Sequence, residues 1–179
     1  MTGSGNIVAQ YIEMHRKTNR FPADSISFAG LGIAGELSEF LEKNITRKES
    51  EYVYEFGDIL YYQVAAIVFC SDYEIATYSL SKAFSSYRNI VVPLDVMMYN
   101  QLYVCELIKK LMRNPDDVLL KELIIRTAED AIRALFAYAD GFDIPPVDIM
   151  VLNIRKLLKR LEKGMINGFG DHREREEKK

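Results

Sequence analysis

Cysteine and histidine are nearly missing from this chain, at two residues each in 179. Thiolate and imidazole clusters are what zinc and redox centres are built from, so neither kind of centre has material here. Cys70 and Cys105 stand far apart in apolar surroundings, which suits a reducing compartment and buried thiols better than a disulfide. A basic excess is missing too. Lys and Arg number 23 against 26 Asp and Glu, a net charge of −3, which excludes a surface built as a whole to grip a nucleic-acid backbone. A small anionic ligand held through a metal stays compatible with that balance. Long apolar runs are also lacking: the longest, Ile59 to Cys70, is interrupted by Gln63 and falls short of the roughly 20 residues that span a bilayer, so a core helix and no membrane partner are expected. "MTGSGNIVAQ" has no basic region leading into an apolar one, so a cytoplasmic chain is expected and the Asn44-Ile45-Thr46 sequon is read as chance.

Alternating Val/Ile runs bounded by turn residues are nearly absent, whereas apolar residues recur every three or four positions almost throughout. That period specifies an all-α protein. With 49 % apolar residues the chain can close a core, so residues 1–179 are expected to form a single helical-bundle domain. Seven helices are expected, over Asn6–Thr18, Ser27–Ile45, Ser50–Phe69, Tyr73–Arg88, Asp95–Arg113, Asp116–Ala139 and Pro146–Lys163. Pro22, Pro93 and Pro115 punctuate them, Asp116 is placed to cap a helix, and Pro146 sits where a first-turn proline is tolerated. The charged end, 171–179, reads as a frayed tail.

A weak internal repeat runs through these segments. "GELSEFLEKN" (35–44) lies over "CELIKKLMRN" (105–114), matching Glu36 to Glu106, Leu37 to Leu107, Leu41 to Leu111 and Asn44 to Asn114. After a two-residue slip, 57–73 falls over 129–144 and 79–88 over 151–160. Two related three-helix units, about 27–90 and 95–163, and a four-helix core drawn from both, are expected. Against this stands the alternative that two unrelated amphipathic helices align as well.

The chemistry concentrates in "GELSEFLEKN" and "EFGDILYY". Glu36 and Glu39, three apart, share one helical face, and so do Glu55 and Asp58. Fifteen residues between the pairs suit a short antiparallel hairpin, on which all four carboxylates converge. Gly35 and Gly57 stand beside these acids although glycine costs a helix about 1 kcal/mol against alanine, which points to close helix approach. Two unit charges about 5 Å apart repel by roughly 3 kcal/mol at an effective dielectric near 20, so such a cluster calls for cations or protons. All-oxygen ligation favours Mg²⁺, or Mn²⁺. The competing arrangement pairs these acids with Lys43, Arg47 and Lys48 on a solvated face. A di-iron bundle is excluded, because it needs Glu-x-x-His and Ile12 precedes His15 by three as Phe169 precedes His172.

"LGIAGELSEFLEK", "EFGDILYY" and "NIRKLLKRLEKGMINGFGDHR" together resemble the successive signatures of the MazG-like, all-α nucleoside triphosphate pyrophosphohydrolases, relatives of the dimeric dUTPases, over residues 29–70 and 140–173. The resemblance implies cleavage of a nucleoside triphosphate to monophosphate and pyrophosphate. It implies Glu36, Glu39, Glu55 and Asp58 as Mg²⁺ ligands, Asn153, Lys156 and Arg160 facing the nucleotide, and a homodimer. On the same footing Glu39 is the candidate catalytic acid that takes the water's proton, and Lys43 joins Lys156 and Arg160 as phosphate-binding cations. Phe21, Phe28, Phe40, Tyr61 and Tyr62 are the aromatics available to a base, most of them expected in the core, and His15 is expected on the surface. About 70 residues separate the acid helices from the Asn-x-x-Lys helix where the family has a few tens. They coincide with the repeat, in which Lys109 stands for Glu39 and Thr127 for Glu55 while Glu106 and Asp130 remain. A fused pseudo-dimer with one live site and one degenerate half is therefore expected. A nucleotide-binding protein with little turnover and a helical oligomerisation module are the alternatives.

Overall fold

A computed structural model of the chain describes residues 4–21 and 25–165. Among them the protein is all helical, with α1 (Ser4–Thr18), α2 (Ile26–Ile45), a 3-10 turn (Glu49–Glu51), α3 (Tyr52–Cys70), α4 (Tyr73–Ser86), α5 (Leu94–Leu111), α6 (Val118–Asp140) and α7 (Pro146–Glu162). All seven expected helices are present, with ends displaced by a few residues. Pro22, the tail 171–179 and the stretch containing Phe169 and His172 lie outside the described residues.

Local chemistry sets the helix ends. Asp72 caps α4 by accepting the backbone N–H groups of Glu74 and Ile75 at 2.8 and 2.9 Å. The cap of α6 is Asp117, not the expected Asp116: its carboxylate accepts the Leu120 N–H at 2.9 Å. An N-cap must stand outside the helix with its oxygen turned back to the second or third N–H, and Asp117, extended, is the residue so placed. Pro146 occupies the first turn of α7, where the missing N–H costs nothing.

Helices α2 and α3 form one antiparallel hairpin, α5 and α6 another, and the two pack α2 on α5 and α3 on α6. The third helix of each expected unit crosses over: α4 rests on α6 and α7 on α3, while α1 lies across α4 and α7. On α2 the stripe Ala29, Ile33, Leu37 and Phe40 is buried, the four-and-three spacing of a core-facing helix. α3 sits centrally, with Phe56, Ile59, Leu60, Val64 and Ile67 fully buried. The stretch Glu49–Cys70 has the length and composition to cross a membrane, yet most of its most apolar part is buried inside the bundle. Tyr138 meets Phe40 and Phe56 edge to face, at centroid distances of 6.0 and 6.2 Å, and Phe40 and Phe56 lie tilted at 5.1 Å. One polar tie runs through this interior. Gln63 Nε2 donates to Gln101 Oε1 at 2.6 Å and Gln101 Nε2 to the Ala131 carbonyl at 2.8 Å, which fixes the register of the two hairpins.

Two expectations fail here. His15 is fully buried, not on the surface: Nε2 donates to the Tyr61 carbonyl at 3.1 Å and Nδ1 accepts from the Tyr73 hydroxyl at 3.3 Å. Burial holds its pKa down at about 3 against the pull of that carbonyl, so it is a neutral core residue. Cys70 and Cys105 are free as expected but half-buried, with burial raising their thiols to about 12 and about 11.

Candidate metal centre

The apolar stripe of α2 has a second stripe beside it, Gly32, Glu36, Glu39 and Lys43, at spacings of four, three and four. The same spacing recurs in Glu51, at the end of the 3-10 turn, and Glu55, Asp58 and Tyr62 of α3. Because the helices are antiparallel, the stripes face each other in reverse order. Lys43 therefore meets Glu55 in an ion pair and Glu51 at 3.3 Å at one end, and Gly32 lies under the Tyr62 ring at the other. The acids fall between. Carboxylate oxygens of Glu36, Glu39 and Glu55 all lie within 4.8 Å of one another, and Glu55 is only 4 % exposed.

Asp58 closes the site from the α7 side. Asn153 Nδ2 donates to its Oδ1 at 3.0 Å and Lys156 forms an ion pair with its Oδ2. Both residues are three apart on one face of α7 and nearly a hundred positions from Asp58 in the chain. Gly57 makes the approach possible, since a Cβ there would stand 3.0 Å from Asn153 Cβ and Nδ2. Gly35 has no such role: it is exposed, nothing lies within 4 Å of a Cβ built on it, and the close contacts of α2 are at Gly30, 3.1 Å from Ile108 Cγ2, and at Gly32.

Electrostatics mark the cluster independently of distance. Burial raises the Glu36 pKa to about 8, with the charges of Asp58, Glu39 and Glu55 adding to the rise and Lys156 opposing it. Burial first, and the neighbouring acids after it, favour the protonated form of this carboxyl, a cost that a bound cation would relieve. The donor set is all oxygen. Glu36 Oε2, Glu55 Oε2 and Asn153 Oδ1 are buried acceptors without a hydrogen-bond partner, as a hard, hydrated cation requires of its surroundings. Of the four expected ligands, Glu36, Glu39 and Glu55 form a group that could hold a metal ion, whereas Asp58 stands outside it with its oxygens taken by Asn153 and Lys156. Lys43 pairs as the solvated-face alternative anticipates, but Arg47 and Lys48 are exposed and have no ion pair to these acids among the described residues.

The other expected residues separate into two groups. Arg160, one turn beyond Lys156, is partly buried and its charge reaches Tyr61, whose hydroxyl burial raises and Arg160 lowers. Phe21, Phe28 and Tyr62 form a half-buried wall, Phe21 stacking on Phe28 with centroids 5.5 Å apart and on Tyr62 at 6.0 Å. Phe40 is fully buried core, and Tyr61 packs with Met14 and Leu157. In the second hairpin Glu106 is exposed and paired with Lys109, Asp130 is exposed and paired with Arg133, and Thr127 is buried. Its one buried acid, Glu129, takes Lys82 of α4 at 2.7 Å.

Sequence reasoning overlooked Glu51 and Tyr11. Extending the acid stripe of α3 back by four residues finds Glu51. Nothing in the sequence announces Tyr11, a fully buried α1 residue whose hydroxyl has no partner and feels the charge of Asp58. No protein-family model, curated protein or solved structure matches this chain.

Proposed function

We propose that the protein is a Mg²⁺-dependent nucleoside triphosphate pyrophosphohydrolase of the MazG-like kind. The observation that carries this is the cluster of Glu36, Glu39 and Glu55 between α2 and α3, together with Asp58 of α3 held by Asn153 and Lys156 of α7. Acids, amide and ammonium ions from three helices are the parts needed to grip a polyphosphate. A divalent cation, when bound, neutralises phosphate charge and lowers the pKa of a bound water.

The chain's own groups then divide the work. Glu36 and Glu55 hold their oxygens close together beside Glu39 on two rigid helices, so little reorganisation accompanies charge development. Glu39, the acid central to the first pair, accepts the proton of the water that attacks the α-phosphorus. Lys156, Lys43 and Arg160 carry positive charge to the β- and γ-phosphates. Such transfer depends on positioning and charge neutralisation, for which rigid helices are suited. Phe21, Phe28 and Tyr62 offer ring faces to a base on the far side of the acids. A homodimer belongs to the same proposal and is checked by the solution mass.

The test is a panel of canonical, deoxy and modified nucleoside triphosphates with Mg²⁺. Monophosphate and pyrophosphate are the expected products. Diphosphate and free phosphate would sink the assignment even in an active protein. Tight Mg²⁺-dependent nucleotide binding without pyrophosphate release would favour a binding protein instead.

A further inference from the structure

The two oxygens of Glu55 are in different situations. Oε1 is paired with the Lys43 ammonium, whereas Oε2 is buried and has no partner. Glu55 is 4 % exposed, and its carboxylate is the α3 member of the group that Glu36 and Glu39 of α2 complete. A buried acceptor left idle beside two further acids calls for more positive charge than one ammonium brings. Glu55 thus holds one cation and has an acceptor to spare for another.

The fold ties Lys43 to this place. It stands one turn beyond Glu39 on the same stripe of α2, so its stem lies along the hairpin and its head reaches across to α3. The side chain is only 22 % exposed, and Nζ also meets Glu51 Oε2 at 3.3 Å, a partner one turn before Glu55 and outside the three-acid group. Burial lowers the Lys43 pKa, but the hydrogen bonds and charges of Glu55 and then Glu51 outweigh it and raise the value, so the head stays an ammonium. A divalent ion and an ammonium on one carboxylate repel each other, and more strongly where burial lowers the dielectric. Glu51 offers the ammonium a second acceptor, and a lysine stem has the rotamer freedom to turn to it.

We propose that Lys43 is a tethered counter-ion of the acid centre: it neutralises Glu55 in the metal-free protein, and a divalent cation arriving at Glu36, Glu39 and Glu55 displaces it toward Glu51, from where it meets an incoming polyphosphate. The centre is then loaded by exchange of one cation for another. The inference rests on the metal centre described above.

Mn²⁺ binding is measured by electron paramagnetic resonance, without nucleotide, on the full chain and on Lys43→Met, Lys48→Met and Glu39→Gln, with melting recorded in EDTA and in Mg²⁺. Lys43→Met is expected to bind Mn²⁺ about tenfold more tightly than the parent, since the competing charge is gone, and to gain more in melting temperature from Mg²⁺. Lys48→Met loses the same charge at an exposed position with no ion pair to these acids among the described residues, and is expected to bind as the parent does. In the ¹⁵N-labelled parent the Lys43 Nζ resonance, assigned through its own side chain, is expected to move when Mg²⁺ is added, a readout that serves if Lys43→Met does not fold. Binding by Lys43→Met no tighter than the parent's, an equal tightening in Lys48→Met, or a Lys43 resonance that Mg²⁺ leaves in place each overturns the inference, and loss of Mn²⁺ by Glu39→Gln then keeps the metal centre standing. A parent that binds no Mn²⁺, or a Glu39→Gln protein that binds like the parent, removes centre and inference together.

Discussion

Replacing Glu36 by glutamine keeps the shape of the side chain and removes its ability to ionise, and the consequence depends on pH in a definite direction. Burial and three acidic neighbours raise the Glu36 pKa from 4.5 to about 8. The folded protein therefore binds this proton more tightly than the unfolded chain does, and stability falls as pH rises through the window from 4.5 to about 8. Each unit is worth about 1.4 kcal/mol, and with solvent reaching part of the carboxyl the full span costs on the order of 3 to 4 kcal/mol. Urea unfolding in EDTA at pH 5, 7 and 9 measures it. At pH 5 parent and Glu36→Gln should differ little; at pH 9 the variant should be the more stable by on the order of 3 kcal/mol. Saturating Mg²⁺ should reverse the order, because an ion bound only by the folded state stabilises the parent and finds a weakened site in the variant. A stability difference that stays constant from pH 5 to pH 9 would refute the reasoning, since it would mean that Glu36 ionises as freely folded as unfolded.

Metal affinity should itself rise with pH below about 8, close to tenfold per unit, because the cation displaces the Glu36 proton; calorimetry in two buffers counts that proton. Glu39→Gln and Asp58→Asn should abolish metal-dependent hydrolysis with helicity nearly intact, whereas Glu106→Gln and Asp130→Asn, both exposed and locally paired, should stay within a few-fold of the parent. Hydrolysis lost at Glu106→Gln but kept at Glu39→Gln would put the site in the other hairpin. Gly35→Ala, with nothing near its Cβ, should stabilise by about 0.5–1 kcal/mol through helix propensity. Gly57→Ala should forfeit that gain by pushing Asn153 away and should lower turnover; equal effects at the two glycines on melting and turnover would count against the α3 and α7 contact.

Helices and the pairing of acids on each of them are local matters, and the sequence by itself determined both. A four-and-three apolar period on α2 selects the buried face whatever that face meets. Glu36 with Glu39, and Glu55 with Asp58, share a side because i and i+3 always do on a helix. The short connection between the helices then brings the pairs face to face. Whether a glycine marks a close contact was beyond local inference: propensity flagged Gly35 and Gly57 alike, and only packing distinguishes the open site from the one against Asn153. The cap at Asp117 rather than Asp116 turned on one residue's backbone angles. His15 looked solvent-bound because a lone polar side chain on an amphipathic helix has no local signature of burial, and its partners Tyr61 and Tyr73 come from other helices. The tertiary structure alone decided that α7 crosses to the first hairpin, so that Asn153 and Lys156 reach Asp58. Contacts nearly a hundred residues apart depend on how apolar faces share one core, and no spacing within a single helix encodes that choice.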